Sequence, residues 1–179
     1  MADGNDPLAV DSSLFEALIR IKVPDAALTE KLRALGVDPT NLAASYRATQ
    51  WRAVIDVYRE HLYPQDLAPV GHRKLGWALA NAFGGTLTGR LLGATLPLLN
   101  PMQLLRRWPR FVRMGRTDVT LNVVELDHRS VRLESSDPVD VPMELNFGLL
   151  EYCFERMGER LELKTLSHVG GDAVVLCSW

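Results

Sequence analysis

The chain has 179 residues, 47% of them hydrophobic and 23% charged, which suits one globular domain with its own core. A formal net charge of −2 excludes a whole-molecule electrostatic match to nucleic acid, and no nucleic-acid partner is expected. Cys153 and Cys177 both sit among apolar residues and are read as reduced, buried thiols, consistent with an expected cytoplasmic location.

Residues 1–11 hold three acidic residues, no Lys or Arg and no apolar run. They are expected to be disordered and are not a signal peptide; residues 12–179 are expected to form a single domain. Leu14, Leu18 and Ile21 fall at helical spacing, and Pro24 ends that segment. Asp25 can cap a helix through Leu35, with Gly36 as its stop. Asp38-Pro39 marks a turn. Trp51, Val54, Ile55 and Tyr58 form one face of a helix reaching about His61, and Pro64 ends it.

From Leu75 to Leu105, 31 residues carry a single charge, Arg90, and five arginines (Arg106, Arg107, Arg110, Arg113 and Arg116) follow within 11 residues. Arg90 splits the apolar stretch into two uncharged runs of 15 residues, below the ~18 that a membrane span needs. No transmembrane span is expected, and peripheral membrane contact stays open. Residues 67–99 are helical in pattern, with Gly84-Gly85 as the joint between two helices. Gly76 and Ala80 are four apart, as are Gly85, Gly89 and Gly93, so small residues share a face that another helix can approach. Pro97 and Pro101 break the run, and a short helical turn is expected over residues 102–107.

After Gly115 the period changes from helical to alternating. Val119, Leu121 and Val123, then Val131 and Leu133, lie either side of a turn at Asp127-His128-Arg129, which is a hairpin pattern. Asn146, Leu149, Leu150, Cys153 and Met157 form a helical face ending at Gly158. Leu161 and Leu163 open a second hairpin, turned at Gly170-Gly171, with Val175, Cys177 and Trp179 on one face of its last strand. Helices followed by β-β-α-β-β define an α+β class, with N-terminal helices packed against a C-terminal antiparallel sheet unit.

The order and spacing of several stretches resemble a known family. They are residues 32–38 (LRALGVD), 46–51, Leu62-Tyr63-Pro64, 71–76, Arg107-Trp108-Pro109-Arg110 and the terminal Cys177-Ser178-Trp179. Together they resemble an uncharacterised family of domains of unknown function found mainly in Myxococcales. That resemblance carries no activity, substrate or catalytic residue. The order of elements is also similar, more distantly, to the ligand-binding superfamily of nitric-oxide signalling and Golgi-transport domains. It implies an apolar molecule held between helices and sheet. The Cys-rich pattern of the vinyl-reductase-like members is absent.

No catalytic or metal motif is present. The four histidines, His61, His72, His128 and His168, are at least 11 residues apart, so no local metal-ligand spacing exists. His72 is the one histidine considered as an axial haem ligand, and haem is disfavoured because a lone histidine is seldom a ligand. Cys153 and Cys177 have no nearby His or Lys to activate them. The four tryptophans, Trp51, Trp77, Trp108 and Trp179, are read as core. The leading expectation is a non-enzymatic sensor or binding domain for an apolar or amphipathic small molecule, a lipid among the candidates. Gly85, Gly89 and Gly93 would leave room for it, and Arg106, Arg107 or Arg110 would hold an acidic head group. The bland reading of those arginines is a solvated rim paired with acidic residues. The alternative function is a homodimerising or partner-docking module in signalling, using the small-residue face of 76–93. An enzyme ranks third.

Overall fold

A computed structural model describes residues 8–86, 89–90 and 99–179. Six helices and six strands are described: β1 (Leu8–Asp11), α1 (Ser12–Ile21), α2 (Ala26–Ala34), β2 (Ser45–Arg47), α3 (Ala48–Leu62), α4 (Ala68–Phe83), α5 (Pro101–Gly115), β3 (Thr120–Asp127), β4 (Ser130–Ser136), α6 (Met143–Arg156), β5 (Glu162–Val169) and β6 (Asp172–Ser178). The class is α+β, as the change of period indicated. None of the described helices is long and apolar enough to cross a membrane.

Local chemistry sets the helix starts. The Asp11 carboxylate accepts from Ser13 N–H at 2.9 Å, and Asp25 Oδ1 accepts from Leu28 N–H at 2.9 Å. Each satisfies a first-turn donor that has no partner within the helix. Gly36, at φ 76°, supplies the left-handed step after α2. Gln50 accepts from Arg47 N–H and donates to the Leu35 carbonyl at 2.9 Å, fastening the start of α3 to the end of α2.

Three elements differ from the sequence reading. Residues 8–11, expected as disordered, form β1, which pairs antiparallel with β2 (Ser45–Arg47). At three residues β2 is too short to show a period. The turn expected at 102–107 is a 15-residue helix that runs through Pro109. Asn100 and Gln103 cap it reciprocally at 2.8 and 3.1 Å, and Pro101 occupies its first turn, where a missing N–H costs nothing. Pro109 removes one internal bond, and burial of Leu104, Leu105 and Trp108 at 0%, 0% and 8% exposure offsets the loss. Of the second apolar run, residues 91–98 lie outside the described residues.

The four-stranded antiparallel sheet has the order β3-β4-β6-β5. Its register places Val123, Leu133 and Val175 in one row and Val131, Cys177 and Leu163 in the next. This inner face packs on Leu104, Leu105 and Trp108 of α5 and on Phe147, Leu150 and Phe154 of α6. A second core, around Phe15, Leu18, Trp51, Ile55 and Tyr58, belongs to the N-terminal helices.

The two cores meet where α4 crosses α6. A Cβ at Gly76 would run into the Leu145 carbonyl, and one at Gly148 would run into the Arg73 carbonyl and Trp77 N. The small-residue face containing Gly76 is therefore spent inside the chain. On the outer side of the crossing, Arg73 pairs with the Glu151 carboxylate through two nitrogens, and Trp77 Nε1 donates to Glu155 at 2.9 Å. The Trp77 and Tyr152 rings meet edge to face at 5.3 Å. Gly148→Ala is expected to destabilise the fold by about 1–3 kcal/mol, because backbone rather than a flexible side chain must move. Gly84→Ala, whose Cβ would meet, among the described residues, the Asn81 carbonyl at an ordinary 3.4 Å, is the tolerated control. Urea denaturation of both variants checks the difference.

Candidate functional site

A cavity of about 220 Å³ lies between the helices and one end of the sheet. Leu14 of α1 and Trp51 of α3 close one side. Leu79, Ala80, Phe83 and Gly84 come from α4 and its end, with Gly89 just beyond. Trp108, Phe111, Val112 and Gly115 come from α5, and Leu145, Asn146, Leu149, Tyr152 and Cys153 from α6. Arg116, Val119, Ser135, Asp137 and Val141 complete the wall. Apolar side chains dominate it. An apolar cavity of about 150 Å³ stays dry and takes up benzene, so this one can receive a ring-sized molecule.

Among the described residues the charged lining groups are Arg116 and Asp137. Arg116 is 6% exposed. Its Nε and Nη2 donate to the two Asp118 oxygens at 2.8 and 2.6 Å, and its Nη2 and Nη1 donate to the two Asp137 oxygens at 2.8 and 3.3 Å. Burial pushes the Arg116 pKa down, and the bonds to both aspartates more than offset this, leaving it above the ordinary arginine value. Asp137 Oδ1 also accepts from Val139 N–H at 3.1 Å. β1 reaches the same place. Val10 bridges to Arg116, and Thr117 N–H donates to the Ala9 carbonyl at 2.9 Å.

The residues proposed from sequence are divided by the fold. Gly89 lines the cavity. Gly85 is not among the lining residues; a Cβ there would meet the Ala82 carbonyl at 3.2 Å and the Arg20 side chain. Gly93 lies outside the described residues. Arg106 is on the exterior, bidentate to Glu125 at 2.6 and 2.7 Å. Arg107 and Arg110 are exposed and do not line the cavity. Arg116, the last of the five arginines, is the one that reaches the wall. Its signal in the sequence was its position just past Gly115, with an aspartate two residues on. Asp137 lies 21 residues away and gave no local signal.

His72 is 5% exposed and turned away from the cavity, with Nε2 at 3.0 Å from Asp56 Oδ1. His61 approaches Asp25 at 3.4 Å and His168 approaches Asp140 at 3.2 Å. No histidine lines the cavity among the described residues. Tyr152 and Cys153 are the lining side chains of types that hold haem iron as tyrosinate or thiolate. Burial pushes the Cys153 thiol up to about 12, so it is neutral at pH 7. The described lining does not fit a histidine-held haem.

Helices before a β-β-α-β-β sheet give this chain the fold of the H-NOX domains. An H-NOX protein from S. oneidensis, solved in an Fe(II)NO ligation state, aligns with a TM-score of 0.71 at 11% identity, over 94% of this chain and 98% of that one. A protein studied for heme redox potential and porphyrin distortion aligns at 0.67 and 12% identity, over 94% of this chain and 99% of the other. An oxygen-binding H-NOX domain related to soluble guanylate cyclases aligns at 0.61 and 13%, over 93% and 91%. Residues 9–179 match the family described as Protein of unknown function (DUF2378), and the chain belongs to that family. No curated protein matches it.

The likeness corrects the expectation that disfavoured haem. That expectation rested on the rarity of lone histidine ligands, whereas the fold is shared along its length with proteins studied as haem proteins. Where the histidines fall in one sequence does not decide the cofactor class of such a fold.

Two outcomes follow from this geometry. Arg116→Met would leave two aspartates without their cation and is expected to cost about 3–5 kcal/mol, read from the urea midpoint. Cys153 and Cys177 are both buried, with thiols pushed up to about 12 from an ordinary 9.0. Both should resist a thiol reagent until the chain unfolds. The unfolded thiols lose protons first, so this contribution to stability is intact below pH 9 and falls as pH rises toward 12. Thiol labelling along a denaturation curve, repeated at alkaline pH, checks both the protection and the sign.

Proposed function

We propose that this chain is a small-molecule-binding sensor domain, with its ligand held in the cavity between α1, α3, α4, α5, α6 and the end of the sheet. The observation that carries this reading is the cavity itself. Its wall is built from residues of five helices and the sheet end, at the seam of two otherwise closely packed cores. Filling the seam with side chains would have gained about 25 cal/mol for each Å² of apolar surface buried. A retained apolar hollow in an otherwise well-packed protein is the default binding site. The H-NOX fold supports the reading, since its solved members named above are studied as gas-ligand and haem domains.

The proposed role is binding rather than catalysis. Arg116 is already engaged by two carboxylates, and Cys153 is held neutral. Neither is poised as a nucleophile or a base. The occupant is an apolar or amphipathic molecule of modest size. The exterior arginines Arg107 and Arg110 take no part in holding it.

Native mass spectrometry of the chain purified without refolding should show extra mass that leaves on denaturation. An absorbance spectrum of the same sample identifies haem by its Soret band or assigns the mass to another molecule. Ala80→Phe puts a ring into the cavity from a helix position and is expected to abolish the extra mass while circular dichroism stays unchanged. A bare chain that also takes up no added aromatic ligand would defeat the proposal.

A further inference from the structure

We infer that the cavity selects a ligand bearing a cationic amine and rejects the matching carboxylate. The inference rests on the cavity being a binding site, as proposed above, and adds the chemistry of the head group.

The polar corner of the wall is an ion cluster with unequal charges. Arg116 contributes one positive charge, and Asp118 and Asp137 contribute two negative ones. All three side chains are largely buried, at 8%, 8% and 13% exposure. Four hydrogen bonds to the two aspartates consume four of the five guanidinium N–H groups. The remaining N–H, on Nη1, cannot hold a carboxylate in the two-point manner that makes arginine an anion site. An incoming anion would also meet two aspartates already at the corner. The other cations of the Arg-rich helix do not help, because Arg106 is paired with Glu125 outside and Arg107, Arg110 and Arg113 do not line the cavity.

Acceptor capacity, by contrast, is left over. Asp137 lines the cavity, and among the described residues its Oδ2 receives one long bond, 3.3 Å from Arg116 Nη1. Each carboxylate oxygen has two lone-pair directions. A donor entering the cavity can use the second and bring the cluster's charge to zero. Among side chains this buried, that compensation is worth more than at the surface. Apolar walls and one unbalanced carboxylate describe a pocket for a small aryl or alkyl amine.

The test compares three molecules of nearly one shape, benzylamine, benzyl alcohol and benzoate, by calorimetry and by the fluorescence of Trp51 and Trp108 in the cavity wall. Benzylamine is expected to bind about tenfold more tightly than benzoate, with benzyl alcohol between them. Asp137→Asn should erase the ratio while leaving benzyl alcohol binding in place. Asp118→Asn, which removes the surplus charge without touching the lining, should shrink the ratio and serves if the first variant does not fold. Benzoate binding as tightly as benzylamine in the wild-type chain would overturn the inference while leaving the binding site standing. Failure of all three to bind, with benzyl alcohol as the uncharged probe, would remove the binding-site reading itself.

Discussion

The architecture depends on two glycines facing each other across a helix crossing. Gly76 of α4 meets the backbone of α6 at Leu145, and Gly148 of α6 meets the backbone of α4 at Arg73 and Trp77. With both side chains absent, two helices approach to backbone contact. One belongs to the N-terminal core and the other covers the sheet. Everything on either side is referred to that contact. Leu75 and Leu79 point from α4 into the first core, and Phe147, Leu150 and Phe154 point from α6 onto the sheet. The Arg73–Glu151 pair and the Trp77–Tyr152 contact lie on the solvent side of the crossing. The ion pair adds little to the strength of the crossing, since partly exposed pairs contribute little.

Close approach at one point opens space at another. Leu79 of α4 and Leu149 of α6 lie on the wall of the cavity that forms beside the crossing. Its polar corner is closed by a residue that leaves α5 at its end. Arg116 is buried because Asp118 and Asp137 neutralise it, and Asp137 is positioned because its peptide N–H donates to the Gly171 carbonyl at 2.9 Å. A Cβ at Gly171 would collide with the Asp137 carbonyl, so the turn between β5 and β6 has room for this contact only as glycine. The hairpin turn and the cavity wall are thus parts of one arrangement.

Much of the fold was legible because it rests on period and punctuation. Leu14, Leu18 and Ile21 gave α1, Asp25 and Gly36 bracketed α2, and Gly170-Gly171 gave the last hairpin. The alternation of Val131, Leu133, Val175 and Cys177 also named the buried face of the sheet correctly. The features that escaped are those decided by partners distant in sequence. β1 and β2 exist because they pair with each other, and neither is long enough to carry a period. α5 passes Pro109 because tertiary burial of Leu105 and Trp108 outweighs one lost bond. The candidate site was the least legible part. Five arginines read alike in sequence, and only the fold shows that Arg116 turns inward to two aspartates while Arg106, Arg107, Arg110 and Arg113 are exposed. Haem was misjudged for a related reason. Counting histidines along a chain says nothing about which proteins share its shape.

The short strand β1 has a structural role that its four residues do not suggest. It is held by β2 on one side and, through Val10 and Ala9, by Arg116 and Thr117 on the other. Val10 is at the same time a fully buried member of the N-terminal core, so four residues tie that core, β2 and the charged wall of the cavity into one backbone ladder.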